Sequence, residues 1–97
     1  MDKTEMIKLI EDTYSTAVQS FVTRVICKDD IAHYGYFNSF EDYSELKEKN
    51  QYRFIPRNNF HAYKDEYVKR GRHNVSHSII LTGEDVVDIQ FVLPLHI

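Results

Sequence analysis

Asn74-Val-Ser-His-Ser-Ile-Ile-Leu-Thr-Gly-Glu-Asp-Val-Val-Asp-Ile-Gln-Phe-Val-Leu-Pro94 consists of two alternating apolar runs on either side of Gly83-Glu84-Asp85. Alternation with a period of two is the pattern of half-buried strands, and the glycine-acid break between them predicts a β-hairpin. Residues opposite each other in an antiparallel pair point to the same face. The more apolar parity is Val75, His77, Ile79 and Leu81 in the first run, and Val87, Ile89, Phe91 and Leu93 in the second. Both sets are odd-numbered, so the expected register places Leu81 opposite Val87, Ile79 opposite Ile89 and His77 opposite Phe91. A two-residue turn at Gly83-Glu84 would turn one strand inside out, so a three- or five-residue loop or a bulge is expected instead.

Upstream of this pair, Phe60, Tyr63, Tyr67 and Val68 recur at helical spacing, with Asn58 or Asn59 as the cap, Arg70 near the end and Gly71 as the stop. Gln51-Tyr-Arg-Phe-Ile-Pro56 reads as a strand that Pro56 ends or confines to an edge. Ser39 can cap a short helix over 40–49, with Asp42 in the box position. Ile31-Ala-His-Tyr-Gly-Tyr-Phe37 suits a short strand, although Gly35 weakens it. From Met6 to Ile26, apolar residues recur at steps of three and four, which predicts an amphipathic helix over about residues 3–27, ~37 Å long at 1.5 Å per residue. Asp2 with Glu5 resembles its capping box, with Thr4 as the alternative cap. A stripe of that length would cross a whole sheet or meet a second subunit. The order of elements gives the expected fold class: α+β, a long N-terminal amphipathic helix and two shorter helices packed on one face of a small, mainly antiparallel sheet that ends in a C-terminal β-hairpin.

A chain of 97 residues is expected to form a single domain, 1–97, with one core. A single cysteine, Cys27, allows no internal disulfide, and no stretch supplies the ~20 apolar residues of a membrane span. The expected compartment is the cytoplasm, with no membrane partner. The formal charge of −3 is unevenly spread: residues 1–50 hold six basic and ten acidic residues, and residues 51–97 hold six and five. All six basic residues of the second half lie between Arg53 and Arg72.

No segment carries spacing that demands a particular chemistry. Cys27, at the end of the expected helix, would feel the wrong end of the dipole to become a thiolate. His73 and His77 are four positions apart, which in a strand spans ~13 Å, too far to share one metal ion. The paired carboxylates, among them Asp65-Glu66 and Glu84-Asp85, read as caps, turns and solvated faces. Gly35, Gly71 and Gly83 are isolated, so no phosphate-cradling loop is present. Catalytic residues, metal ligands and cofactors are therefore not assigned.

The segment from Tyr52 to His73 mixes six basic residues with five aromatics and two histidines. Its candidate partner-binding residues are Arg53, Arg57, Lys64, Lys69, Arg70 and Arg72. The chain also has seven tyrosines and no tryptophan, and tyrosine suits positions where one end of a ring is buried and the other wet. These features favour a small non-catalytic interaction or regulatory protein that binds another protein, plausibly as a homodimer. One alternative is nucleic-acid binding through the basic segment, which the negative net charge disfavours. Another is a small-ligand or enzyme module whose pocket uses His33, His61 or His77.

Overall fold

A computed structural model describes residues 1–14 and 21–93. Its elements are α1 (Lys3–Tyr14), β1 (Val22–Cys27), β2 (Ala32–Phe37), α2 (Tyr43–Glu48), β3 (Gln51–Pro56), α3 (Arg57–Arg70), β4 (Ile79–Thr82) and β5 (Val86–Val92). Single 3-10 turns cover Val75–His77 and Gly83–Asp85. The strands form one antiparallel sheet in the order β4-β3-β2-β1-β5, and the fold class is α+β as expected.

The last third of the chain does form two strands, but they do not pair with each other. β4 lies against β3, with Leu81 opposite Tyr52 and Ile79 opposite Phe54. β5 lies against β1, with Ile89 opposite Val25 and Phe91 opposite Thr23. The expected register of Leu81 with Val87, Ile79 with Ile89 and His77 with Phe91 is thus replaced by pairing with two other strands. Gly83–Asp85 adopts a 3-10 turn, which does not double the chain back as a hairpin turn would. Parity identified the core side of Ile79, Leu81 and Ile89, which all pack on the main core. It failed at Val75, Phe91 and Leu93, which are exposed, and at Val87, which is 58% exposed because β5 bulges there: between Ile26 and Cys27 of β1 the register passes from Asp88 to Val86, and Val86 is brought inward instead.

This topology curls the sheet. Four inter-strand steps of about 4.8 Å would hold the edges of a flat sheet ~19 Å apart. Thr82 on one edge and Val86 on the other are joined by a link that spans at most ~14 Å when extended and ~8 Å as a 3-10 turn. The edges therefore converge at that end, as in a partly open barrel. The Gly83 N–H donates to the Asn50 carbonyl (2.8 Å) and the Lys28 N–H to the Asp85 carbonyl (2.8 Å), fixing the link to both sides.

The expected helix over 3–27 ends at Tyr14 within the described residues, and its last part is β1; residues 15–20 lie outside them. Val22, Thr23, Val25 and Ile26 are β-branched and fit a pleated surface, so an apolar run compatible with both periods resolves as a strand. Asp2 does cap α1, its carboxylate accepting the Glu5 N–H at 2.8 Å. α2 is shorter than expected and has no side-chain cap bond. α3 starts directly after Pro56 without an Asn58 or Asn59 cap, and stops at Gly71, whose φ of 68° is left-handed as anticipated.

The helices occupy both faces of the sheet, not one. Phe54 and Ile55 are consecutive in β3 and point to opposite sides. Met6 and Ile10 of α1 share the main core with Phe54, Val25, Phe37, Tyr52 and Leu81. Tyr63 of α3 shares a second core with Ile55 and Phe40, flanked by Phe60. Among the described residues, no helix is long and apolar enough to cross a membrane.

Candidate functional site

The six basic residues singled out in the sequence do not form one patch. Arg53 is structural: its guanidinium grips Asp42 through Nε (3.1 and 3.0 Å) and Nη2 (2.9 Å) and donates to Ser78 Oγ (3.1 Å). With its side chain only 16% exposed and its charge centre over the Phe40 ring, it ties α2 and the start of β4 to β3. Arg57 opens α3 and Arg70 closes it, ~20 Å apart along the axis. Lys64 and Lys69 are exposed between them. Arg70 and Arg72 converge on a cleft of about 290 Å³ that they line with Glu66, His73, Asn74 and Val75.

The cleft exists because Gly71 reverses the chain and returns His73 and Asn74 onto the last turns of α3. His73 lies parallel to Tyr63 (7°, centroids 5.8 Å apart) and stacks on Tyr67 at 4.9 Å, with Phe40 also 4.9 Å away. Its Nδ1 is 2.6 Å from the Tyr63 hydroxyl, which also accepts a bond from the Asn38 amide at 2.6 Å. Burial, with smaller effects from Tyr67 and Glu41, pushes the Tyr63 phenol up to about 12, so it stays protonated.

Glu66 is the second anchor. Its carboxylate accepts both bonds from the Asn74 amide (3.1 and 2.9 Å), lies 2.6 Å from His77 Nε2 and faces Arg70 Nε at 3.7 Å. The bond from His77, followed by those from Asn74, holds its carboxyl below the usual carboxylate value. Asn74 in turn accepts from the Ser76 N–H and hydroxyl (3.0 and 2.8 Å), and Asn59 donates to the His77 carbonyl (3.2 Å). His77 is half-buried and bonded to Glu66, in a 3-10 turn over α3 instead of opposite Phe91.

A group with a depressed folded-state value stabilises the fold above its unfolded value, and that contribution fades as pH falls through the folded one. Glu66→Gln is therefore expected to destabilise the protein at pH 7. The difference from the parent should close as pH falls below the ordinary glutamate value of about 4.5. Urea midpoints measured from pH 7 to pH 3 check this; a gap that persists at pH 3 would contradict it.

Glu66, Tyr67 and Asn74 are not among the candidate site residues of the sequence. In the sequence Glu66 is half of a carboxylate pair, and nothing local marks it as the partner of residues beyond a helix stop. The histidines proposed for a pocket are dispersed. His61 is exposed on α3 (side chain 91%) and faces Asp65 at 3.3 Å. His33 lines a second cleft, of about 320 Å³, near the convergence of the sheet edges with Cys27, Lys28, Asp29, Leu81 and Asp85. Cys27 ends a strand, not a helix, and is buried; burial, then Asp29 and Asp85, raise its thiol and disfavour a nucleophilic thiolate. Among the described residues, no group of three or more histidines, cysteines or carboxylates could hold a metal ion.

Comparison with protein-family models, curated proteins and solved structures found no match.

Proposed function

We propose that this protein is a non-catalytic interaction module that docks another protein on the C-terminal face of α3. The observation that carries the reading is the composition of that face. Val75 (46% exposed) lines the cleft with Arg70 and Arg72, and Tyr67 (43% exposed) adds apolar surface next to it by stacking on His73, which Tyr63 holds from below. Tyrosine and arginine are the residues that most often carry binding energy, and a side chain already held by stacking loses little freedom on docking. Dispersal of the other basic residues, with a net charge of −3, argues against a phosphate-tracking surface.

A second copy of the chain is the alternative partner. β5 is an edge strand on which Val87 and Phe91 are exposed, with Leu93 exposed just beyond it, and an unpaired apolar edge favours strand addition. Light scattering distinguishes the two, since a concentration-dependent dimer would move the interface to this edge.

The docking reading is tested by capturing partners on the tagged full chain and on Tyr67→Ala, with mass spectrometry of what is retained. Loss of a central tyrosine is expected to weaken a genuine partner about 30-fold, or ~2 kcal/mol. Capture unchanged by Tyr67→Ala, or recovery only of nuclease-sensitive material, would overturn the reading.

A further inference from the structure

The hydrogen-bond network beneath the α3 cleft fixes which way each of its polar groups points. The Ser39 N–H donates to Asn38 Oδ1 at 2.8 Å, so the Asn38 amide nitrogen is the atom that faces Tyr63. The Tyr63 oxygen accepts there, which leaves its own proton for His73 Nδ1, 2.6 Å away. An imidazole that accepts at Nδ1 carries its proton on Nε2. Among the described residues His73 Nε2 has no partner, and the buried side-chain atom left without one is Arg24 Nε, so Nε2–H is open to solvent. The acceptors of the cleft are meanwhile consumed: Glu66 by Asn74 and His77, and the Asn74 carbonyl oxygen by Ser76. What remains to meet a ligand is a set of donors: Arg70, Arg72 and His73 Nε2–H.

We propose that the cleft is a carboxylate receptor that anchors an acidic residue of the docked protein, with an adjoining apolar residue covering Tyr67 and Val75. This rests on the docking reading and names the chemistry of its occupant. A planar guanidinium and a ring N–H match the two oxygens of a carboxylate, and charge-assisted bonds of this kind are about twice as strong as neutral ones. The carboxylate is that of an Asp or Glu side chain of the docked protein. Nucleic acid is the less suitable partner, because two guanidinium groups neutralise few phosphates.

The test uses the ¹⁵N-labelled full chain at pH 7.5. Long-range ¹H–¹⁵N imidazole spectra should show His73 as the Nε2–H tautomer, and Tyr63→Phe should release Nδ1–H. Three probes are then titrated: Ac-Glu-Leu-Glu-Tyr-NH₂, its Gln-Leu-Gln counterpart, and that counterpart with a free C-terminal carboxylate. The first should shift His73 Nε2 and the amides of 70–75, and replacing Glu by Gln or introducing Arg72→Gln should each weaken it by about tenfold or more. A response to the third probe as strong as that to the first would place the carboxylate at a chain terminus and overturn the acidic side chain as the occupant. An Nδ1–H tautomer in the parent, an equal response to the first two probes, or tighter binding of an oligouridylate would overturn the proposal. Partner capture that depends on Tyr67 but not on Arg72 would remove the carboxylate anchor alone and leave the docking surface standing.

Discussion

Gly35→Ala is expected to abolish the fold or bring it to the edge of unfolding at 25 °C. Gly35 sits in β2 opposite Pro56, and a Cβ there would lie 2.0 Å from the Ile55 carbonyl oxygen and 2.9 Å from Phe54 Cε2. The oxygen belongs to the backbone of the neighbouring strand and cannot rotate away, so β2 and β3 would have to separate. Overpacking a core by one methyl costs ~1–3 kcal/mol, and a backbone clash lies at or above the top of that range. Against a total stability of ~5–15 kcal/mol, that is a large share. Gly71→Ala is the control. Among the described residues nothing lies within 4 Å of its added Cβ, and the φ of 68° is the unfavourable feature, so the loss should be about 1 kcal/mol. Urea unfolding of both variants checks the contrast, and equal midpoints would contradict the β2–β3 packing.

Phe54→Ala should cost nearly as much, by leaving a void. Phe54 is fully buried, meets Phe37 edge-on at 5.0 Å and lies opposite Ile79. It is the point where β2, β3 and β4 share the main core. Removing a buried phenyl ring costs ~3–5 kcal/mol through lost transfer energy and the cavity left behind. Phe54→Leu should lose less than half of that. The denaturant midpoint should fall with little change in slope, since the surface exposed on unfolding is nearly the same. A Phe54→Ala midpoint within experimental error of the parent would mean that the main core is built elsewhere.

Most local elements were legible in the sequence, and the way they combine was not. The strands at Ala32–Phe37 and Gln51–Pro56, the stop at Gly71 and the inward sides of Ile79, Leu81 and Ile89 follow from period and turn chemistry alone. Pairing is different, because alternation says which residues face inward and nothing about which strand lies alongside. A short link between two strands suggested a hairpin, and a curled sheet satisfies the same link by bringing its two edges together. The Val22–Cys27 run failed for a related reason: its apolar spacing fits a helix and a strand equally, and its β-branched content was the overlooked signal. At the candidate site, Arg70 and Arg72 were visible as charges. The groups that give them a context, Tyr63, Glu66, His73 and Asn74, come together only because Gly71 folds the chain back onto α3, a long-range consequence that no local pattern encodes. Arg53 shows the converse: a prominent charge in the sequence is committed to Asp42 and Ser78 within the fold.

Hydrogen exchange of the full chain, alone and with a captured partner, locates the interface directly. Protection should grow over residues 63–77, with β5 unchanged. Protection confined to residues 86–92, with 63–77 exchanging as in the free protein, would contradict the account.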